Sequence, residues 1–462
     1  MTEPTLLLTD GRTGERRPFA PADPARPTMY VCGPTVYDRA HLGNARSAVV
    51  FDVLARLLRH LHGGLLHVRN LTDVDDKILA RAAEAGRPIR EITEETTRWY
   101  HEDMAALGVR PPDREPRATG YVAEMVAMIE ALAARGHAYA ADGHAYFEVA
   151  TDPGYGSLSG RVTEEQIAGA RVAVAAAKRA PGDFVLWKPS AAGEPAWPGP
   201  ALDGARLPDG RPGWHIECSA MIGALVGETV DVHGGGTDLL FPHHENERAQ
   251  SECLHGAPLA RWWVHNEMLR VEGAKMSKSL GNFLTVRDVL DRGVPGAAIR
   301  LVLMGAHYGR PLDWTDAAVE EALVRIHLWK RALGGAPAAP AAQVVEALAA
   351  DLNTHAALER TDALAERALA GDAAAAGAFA GSLALLGFEA LENDLPALAA
   401  AHRDAVEARL AERAAARAAR DYARADAARA ALVAAGVEVS DRPGGATDWS
   451  IGPRFDPAKL GA

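Results

Sequence analysis

The apolar positions in the first part of the chain follow two different periods, which predict alternating strands and helices. A short apolar run at 29–32 predicts a buried strand, which the turn residues at 33–34 end. Apolar residues at helical spacing then predict a helix over about 45–61, which the glycine pair at 63–64 ends. A second strand is expected at 65–71. This order of strand, helix and strand indicates a βαβ unit with a parallel sheet.

The middle of the chain predicts an interruption followed by more parallel sheet. After the mostly helical pattern of 76–135, the segment 136–212 is rich in glycine, proline and aromatic residues, with short strand signals, and we interpret it as an inserted subdomain. Strand signals return at 229–233 and 262–269, around a helix predicted over about 242–254. We interpret these elements as the second half of a split parallel fold.

The two ends of the chain have simpler patterns. A turn signal at Asp10–Gly11 predicts a strand pair near the start. From 284 the pattern is helical, and 334–340 is a linker candidate. The alanine-rich segment 341–435 predicts helices, and 437–449 predicts short strands.

The composition narrows the class of protein. A chain of 462 residues, 48% hydrophobic and 24% charged, is expected to be a soluble globular protein of about three domains. It has no apolar run long enough for a membrane helix and no signal-peptide core. Three cysteines far apart in the sequence favour a reducing compartment over a disulfide framework. The net charge of −12 excludes a generally basic surface, so any contact with RNA must be local.

The pentapeptide at 275–279, Lys-Met-Ser-Lys-Ser, is the most specific motif. A given pentapeptide occurs by chance in roughly one chain in several thousand. The ammonium groups of Lys275 and Lys278, beside small hydroxyl residues, can follow a triphosphate as its charge moves. The alternative is a solvated basic loop. It is disfavoured because lysine is scarce here: the other five lysines are scattered, and most of the 49 basic residues are arginine.

A second candidate is the run His41, Leu42, Gly43 and Asn44, at the start of the helix that follows the first strand. A helix N-terminus in that position offers unpaired N–H groups and a positive dipole end to a phosphate. Gly43 would let a nucleotide base approach the backbone. The alternative is a histidine that only caps the helix, because a His-x-Gly tripeptide is expected by chance roughly once or twice per chain.

Two cysteines and a run of histidine and acidic residues form a candidate metal site. Cys32 ends the first strand, at the edge where open α/β sheets bind ligands. Helical spacing places His243 and Glu247 on one face, whereas His244 shares its face with an arginine. Together with Cys218, these residues supply two thiolates, one imidazole and one carboxylate, which suit zinc. The alternative is a buried cysteine and an exposed histidine pair, and it stays open because the cysteines lack tight C-x-x-C spacing.

Two further patterns each have a functional and a structural interpretation. Three glycines at 234–236 follow a predicted strand and either let a ligand lie against the backbone or form an ordinary loop. A set of arginines, here called the arginine stripe, is predicted to share one helix face, where it either contacts an RNA backbone or forms ion pairs in solvent. The stripe consists of Arg409, Arg413, Arg417, Arg420 and Arg424.

Taken together, these motifs resemble the cysteinyl-tRNA synthetases, a family of class I aminoacyl-tRNA synthetases. The matching stretches follow the family's order and cover nearly the whole chain; they are 30–38, 41–44, 70–77, 213–221, 233–238, 241–247 and 275–282. One position departs from the pattern. The class I signature usually ends in a second histidine, and here Asn44 keeps a hydrogen-bond donor but cannot carry charge.

The resemblance implies an α/β fold, in which a Rossmann-like parallel sheet of the class I synthetase type is split by a connective insert and followed by all-α domains. The expected units are the first half of the catalytic domain at 1–115, the insert at 116–210, the second half at 211–268, a stem-contact region with the lysine loop at 269–333, a helical bundle at 341–400 and an anticodon-binding end at 401–462.

The resemblance also implies cysteine–tRNA ligase activity, which forms cysteinyl-adenylate from L-cysteine and ATP and transfers the cysteine to tRNA(Cys). One Zn²⁺ per chain would lie on Cys32, Cys218, His243 and Glu247 and select the substrate thiol, and Mg²⁺ would accompany ATP. Residues expected to bind ATP are His41, Gly43, Asn44 and Lys278. Those expected to act in catalysis are His41, Asn44, Lys275 and Lys278. Those expected to line the amino-acid pocket are Gly33, Thr72, Trp214 and His233.

Cys253 is expected to be structural, and the protein is expected to be a cytoplasmic monomer without a membrane partner. Two alternative functions differ from this one in what they require of the chain. A cysteine ligase with an amino-sugar acceptor would not need the C-terminal helical part. A non-catalytic zinc- or tRNA-binding relative would have lost His41, Lys275 and Lys278, and all three are present.

Overall fold

The computed structural model describes residues 4–160, 177–277, 280–334, 336–392, 394–442 and 447–460. Lys278 and Ser279 of the pentapeptide lie outside these residues. Within the described ranges, we find no helix whose length and apolar character would let it cross a bilayer.

The amino-terminal part begins with a hairpin and continues into strands and helices. Its elements are β1 (Leu7–Thr9), β2 (Arg16–Pro18), β3 (Thr28–Val31), α1 (Leu42–His62), β4 (Leu66–Arg69), α2 (Asp76–Ala85), α3 (Ile89–Ala106) and α4 (Val122–Ala134). The middle part contains β5 (Ala138–Ala141), β6 (His144–Phe147), β7 (Phe184–Pro189), β8 (Ala201–Leu202), β9 (Ala205–Arg206), β10 (Gly210–Pro212), α5 (Trp214–Leu225), β11 (Val230–Gly236), α6 (Glu245–His255) and β12 (Ala260–Asn266).

The last part is mainly helical, as predicted. Its elements are β13 (Leu269–Val271), β14 (Ala274–Lys275), α7 (Val286–Asp291), α8 (Gly296–Leu303), β15 (Leu312–Trp314), α9 (Asp316–Ala332), α10 (Ala342–Ala349), α11 (Thr354–Leu369), α12 (Ala373–Leu385), α13 (Leu395–Ala401), α14 (Arg403–Ala418), α15 (Tyr422–Ala434), β16 (Val437–Asp441) and β17 (Thr447–Ile451).

A four-stranded parallel sheet, in the order β12-β11-β3-β4, lies at the centre of the chain. β3, α1 and β4 form the predicted βαβ unit, and β11, α6 and β12 form a second one. The two units wind outward from the junction of β3 and β11, and open α/β sheets bind ligands at such a junction, beyond the carboxyl ends of the strands. The predicted α/β class is confirmed, and Cys32 lies at this junction.

The chain between the two halves of the parallel sheet forms an antiparallel sheet in the order β10-β7-β6-β5. A smaller sheet, in the order β14-β13-β15, follows the second βαβ unit. The strand pair predicted near the start is present, because β1 pairs with β2, and the strands predicted near the end are present as β16 and β17, which also pair antiparallel.

The interpretation of the three glycines at 234–236 as a loop after a strand is wrong, because all three belong to β11. A Cβ atom on Gly234 would lie 2.2 Å from the ring of Phe51 on α1, and one on Gly235 would lie 2.9 Å from the ring of His244. The absence of side chains at these two glycines therefore lets Phe51 and His244 pack closely against β11. Gly236 alone of the three lines the cavity described below.

The prediction that the arginine stripe occupies one helix face is also wrong. α14 ends at Ala418, Arg420 has a left-handed backbone with φ of 61°, and Arg424 belongs to the next helix. Arg413 makes two hydrogen bonds of 2.7 Å to the carboxylate of Asp441 on β16, and Arg417 contacts the same group at 3.3 Å. These contacts favour the interpretation of the stripe as ion pairs within the protein.

Candidate active site and metal centre

The predicted phosphate-binding run forms the cap of α1. The Asn44 backbone N–H donates to His41 Nδ1 at 3.2 Å, and the His41 backbone N–H donates to Asn44 Oδ1 at 3.3 Å. This reciprocal capping begins the helix at Leu42, one turn earlier than the apolar pattern predicted. A Cβ atom on Gly43 would lie 2.9 Å from the His41 imidazole, so a glycine keeps this turn open.

The segment Lys275–Asn282, here called the lysine segment, carries the lysine motif, and its Met276 side chain would lie 3.8 Å from a Cβ atom on Gly43 in this cap. After the segment, the Leu42 N–H donates to Leu284 O and the Val286 N–H donates to Ala40 O, both at 3.0 Å. The rings of His41 and Phe283 also meet edge to face, with centroids 5.4 Å apart. The two candidate phosphate-binding motifs, distant in sequence, are therefore neighbours in space.

A cavity of about 350 Å³ lies between these elements and the carboxyl end of β3. Seven of the predicted site residues line it: Cys32, Gly33, His41, Gly43, Asn44, Trp214 and Lys275. Trp214 is about one-third exposed and stacks on His243 with ring centroids 4.1 Å apart. It thereby connects the cavity to the residues of the candidate metal site.

The four predicted metal ligands converge in the interior. Cys32, Cys218, His243 and Glu247 are all buried, and each offers one ligand atom within 4.8 Å of the others. Cys32 Sγ lies 3.6 Å from Cys218 Sγ and 3.3 Å from Glu247 Oε1, and His243 Nε2 lies 2.9 Å from that same oxygen. Two thiolates, an imidazole and a carboxylate at this spacing fit a zinc ion.

A second set of four, in which His233 and His244 replace Cys218 and His243, also lies within 4.8 Å. The contacts of the two Glu247 oxygens favour the first set. His233 Nε2 lies 2.8 Å from Glu247 Oε2, whereas Cys32 Sγ and His243 Nε2 lie 3.3 Å and 2.9 Å from the other oxygen, Oε1. The His233 imidazole therefore orients the Glu247 carboxylate by a hydrogen bond, as residues next to metal ligands commonly do.

The charges of the cluster suit a thiolate at Cys218 but not at Cys32, because burial and the neighbouring Cys218 raise the pKa of the Cys32 thiol well above its usual value. The hydrogen bond from Cys32 lowers the pKa of the Cys218 thiol to about 6. Burial opposes a charge on His243, but Glu247 and Cys218 outweigh burial and raise the pKa of the imidazole to about 10. Burial also opposes ionisation of Glu247, yet His243 and His233 hold its pKa well below the usual value. A metal ion would take the place of protons at these donors.

Two predicted pocket residues, Thr72 and His233, are buried and are not among the cavity-lining residues. Thr72 donates to Glu217 Oε2 at 3.0 Å. Asn70, not singled out from the sequence, accepts from the Gly33 N–H at 2.8 Å and lies 3.7 Å from Cys218 Sγ. A Cβ atom on Gly33 would lie 1.7 Å from the Asn70 carbonyl oxygen, so the turn after β3 requires glycine.

Sequence reasoning missed two basic residues near the cavity. Lys77 lines it, with its ammonium 5.5 Å from the ring of Tyr37. Two signals in the sequence could have identified Lys77 as a site residue: lysine is rare in this chain, and Lys77 belongs to the matching stretch 70–77. Arg46, on the first turns of α1, is fully buried and binds backbone carbonyls, and nothing in its sequence context indicated this.

Comparison with known proteins places this site in a family. A family model described as the class I (C) tRNA synthetase catalytic domain matches residues 18–324. A cysteine–tRNA ligase of Acidiphilium cryptum (strain JF-5) is 57% identical over 449 residues, covering 96% of this chain and 98% of the relative. A cysteine–tRNA ligase of Rhodospirillum rubrum is 52% identical, covering 96% and 99%.

Solved structures agree on the fold. The methionyl-tRNA synthetase of Mycobacterium tuberculosis in complex with methionyl-adenylate has a TM-score of 0.54 at 16% identity, covering 78% of this chain and 89% of that one. Similarity at this level of identity concerns the fold alone. The family model and the close relatives, which extend over nearly the whole chain, show that it belongs to the cysteine–tRNA ligases, a family of class I aminoacyl-tRNA synthetases.

Proposed function

We propose that the protein activates L-cysteine with ATP to form cysteinyl-adenylate and transfers the cysteine to the 3′ end of tRNA(Cys), with zinc selecting the substrate thiol. The observation that carries this proposal is the convergence of Cys32, Cys218, His243 and Glu247 beside a cavity lined by the cap of α1 and by Lys275. A candidate metal centre, whose Cys32 lines the cavity, thereby adjoins a candidate phosphate site.

In the first step, the cysteine carboxylate attacks the α-phosphorus of ATP in line, and pyrophosphate leaves. His41 and Asn44 are proposed to contact the phosphates at the positive end of the α1 dipole. Gly43 leaves room for the nucleotide, and Lys275 and Lys278 stabilise the charge that develops on the leaving group, with Mg²⁺ accompanying ATP. The residues act by position and charge and need no covalent bond to the substrate.

Selection of cysteine over serine is proposed to depend on the metal. Cys32, Cys218, His243 and Glu247 would hold the zinc ion, which would supply a Lewis acid toward a substrate thiolate, and a hydroxyl would be a far poorer ligand. Shape alone discriminates weakly between side chains that differ by one atom. Trp214, which lines the cavity and stacks on His243, is proposed to hold the amino acid beside the cluster. Thr72 and His233 do not line the cavity, and they are proposed to support it through their hydrogen bonds to Glu217 and Glu247.

In the second step, a hydroxyl of the terminal ribose of the tRNA attacks the adenylate carbonyl carbon, and AMP leaves. We propose no dedicated general base for this step. The C-terminal helices and the β16–β17 hairpin are proposed to include the anticodon-binding end, at about 401–462.

The decisive experiment is ATP–pyrophosphate exchange across amino acids, followed by charging of tRNA. Exchange with cysteine that exceeds exchange with serine by several orders of magnitude is expected. Metal-replete protein that forms no adenylate with cysteine, or treats serine equally, would refute the proposal. Exchange with cysteine but no charging of tRNA would favour a ligase with a small amino-sugar acceptor.

Two matched pairs of variants test the residue roles. Cys218→Ser is expected to lose zinc by elemental analysis, whereas Cys253→Ser, at a half-buried cysteine outside the cluster, is expected to keep it. Lys278→Ala is expected to abolish most cysteine-dependent exchange, and Lys459→Ala, at another basic residue far along the chain, is expected to leave it unchanged. Full zinc retention by Cys218→Ser would show that Cys218 is not a zinc ligand. Near-normal exchange by Lys278→Ala would show that Lys278 does not act in adenylate formation.

A further inference from the structure

Arg46 is a buried arginine whose contacts are to backbone. It lies two residues after Asn44 on α1 and is fully buried. Its Nη1 donates to the carbonyls of Glu267 at 2.5 Å and Met268 at 2.9 Å. Its Nη2 donates to three carbonyls of a second segment, those of His307 at 3.3 Å, Tyr308 at 3.5 Å and Arg310 at 2.6 Å.

A buried guanidinium is usually paired with a carboxylate, because burying an unpaired charge is costly. Among the described residues we find no carboxylate within ion-pair distance of Arg46. Burial lowers the pKa of Arg46 to about 10, and the charge of Glu267 only partly opposes this shift. The carbonyl oxygens therefore supply the stabilisation of this cation, and Arg46 in turn holds two segments against α1.

The position of these carbonyls gives Arg46 a link to the proposed reaction. Glu267 and Met268 line the cavity and lie between β12 and β13, directly before the hairpin that leads to the lysine segment. The chain after the lysine segment is fixed to the α1 cap by the backbone hydrogen bonds at Leu42 and Val286. The chain is thus tied to the first turns of α1 both before the lysine segment, where Arg46 binds the carbonyls of Glu267 and Met268, and after it, at Leu284 and Val286.

We infer that Arg46 is a positioning residue for adenylate formation, an inference that rests on the proposed function. By holding the chain before the lysine segment on α1, Arg46 sets the distance between the capping residues His41 and Asn44 and the ammonium group of Lys275. These groups are proposed to contact one nucleotide, and a misplacement of about 1 Å at a reacting centre can lower a rate on the order of 10²-fold. Arg46 does not touch the substrate and acts through the elements it holds.

The test compares three variants. Arg46→Met removes every donor, whereas Arg46→Lys keeps a cation with at most three donors. Arg300→Met is the control, because Arg300 is equally buried and donates to the carbonyls of Leu386 and Leu107, and also to the carboxylate of Asp52, away from the cavity. Each variant is assayed below its own unfolding temperature for kcat and KM of cysteine-dependent ATP–pyrophosphate exchange, and for zinc content.

We expect Arg46→Met to lower kcat on the order of 10²-fold and Arg46→Lys on the order of tenfold, with zinc content and the KM for cysteine within about twofold of wild type. Arg300→Met should lose thermal stability but keep kcat within about twofold. Equal loss of kcat in the Arg46→Met and Arg300→Met variants, or a wild-type kcat in Arg46→Met, overturns the inference.

If Arg46→Met does not fold, Arg46→Lys decides: a tenfold lower kcat supports the inference and an unchanged kcat overturns it. Wild-type protein without cysteine-dependent exchange would instead refute the proposed function itself, so the two failures are distinguishable.

Discussion

Replacement of His233 by phenylalanine is expected to weaken zinc binding although it removes none of the proposed ligands. His233 Nε2 lies 2.8 Å from Glu247 Oε2, and both side chains are fully buried. Phenylalanine keeps an aromatic ring beside Trp263, whose centroid lies 4.8 Å from that of His233, but it cannot form the hydrogen bond. The substitution therefore keeps the packing of the ring but removes this hydrogen bond and the contact of His233 Nδ1 with the Tyr30 carbonyl oxygen at 3.2 Å.

The magnitude follows from the burial of Glu247. A buried hydrogen-bonding group that loses its partner costs about 1–3 kcal/mol, and more when it is charged. Since about 1.4 kcal/mol corresponds to tenfold in an equilibrium constant, the Kd for zinc should rise roughly 10–100-fold. Losses of this size are typical when a residue that orients a metal ligand is removed.

Competition with a chromophoric zinc chelator measures this Kd directly. His265→Phe is the control, because His265 belongs to the same histidine cluster and contacts His244 at 2.8 Å, but has no hydrogen bond to Glu247. We expect the control to bind zinc within about threefold of wild type. A wild-type Kd in the His233→Phe variant, or equal weakening in both variants, would refute the role of His233 as the support of Glu247.

Three further predictions follow from contacts outside the zinc ligands. Arg413→Ala and Asp441→Ala should lower the thermal stability of the C-terminal end alike, whereas a role of Arg413 in RNA binding alone would leave Asp441→Ala stable in calorimetry. Gly33→Ala should lose zinc and exchange activity together, because its Cβ would meet a backbone carbonyl at 1.7 Å; normal zinc content by elemental analysis would contradict this. Asp52→Asn should destabilise the protein by about 3–5 kcal/mol at neutral pH, because it leaves buried Arg300 without its carboxylate. Burial raises the pKa of Asp52, but its arginine partners outweigh burial and lower the pKa below the unfolded value of about 3.9. The contribution of Asp52 to stability is therefore present above a pH of about 3.9 and is lost as the pH falls through the lower folded-state pKa. Urea unfolding of the Asp52→Asn variant should depend less on pH in that acidic range than unfolding of the wild type.

The fold was largely predictable where apolar periodicity determines a helix or strand. It was less predictable where a polar contact sets the start of a helix, or where the sequence contains no residue that marks its end. The apolar pattern placed the start of α1 near Ala45, but the cap formed by His41 and Asn44 extends the helix to Leu42. In the alanine-rich end, the spacing of the arginines predicted one continuous helix. Alanine suits every face of a helix, and neither glycine nor proline marks the break at Arg420, so the pattern concealed it.

The site was predictable to the extent that its residues share an element or a recognised motif. The spacing of four residues on one helix selected His243 and Glu247, and the structure brings both to Cys32 and Cys218. The support from His233 was not predictable, because it depends on how α6 packs against β11. Arg46 was missed for a similar reason, since an arginine near the start of a helix is usually at the surface, and its carbonyl partners come from segments more than 200 residues away.

The location of the cavity explains how one site can combine two unrelated kinds of recognition. Its metal side belongs to a hydrophobic core that includes Cys32 and Cys218, and its nucleotide side belongs to a second core that includes Leu42 and Ala45. The two cores meet at β3, whose successive side chains point to opposite faces of the sheet. The proposed selection of the amino acid and the proposed stabilisation of the phosphates therefore depend on two separately packed cores. For this reason, a change such as His233→Phe is expected to act on zinc affinity, whereas a change at Arg46 acts on the rate of adenylate formation.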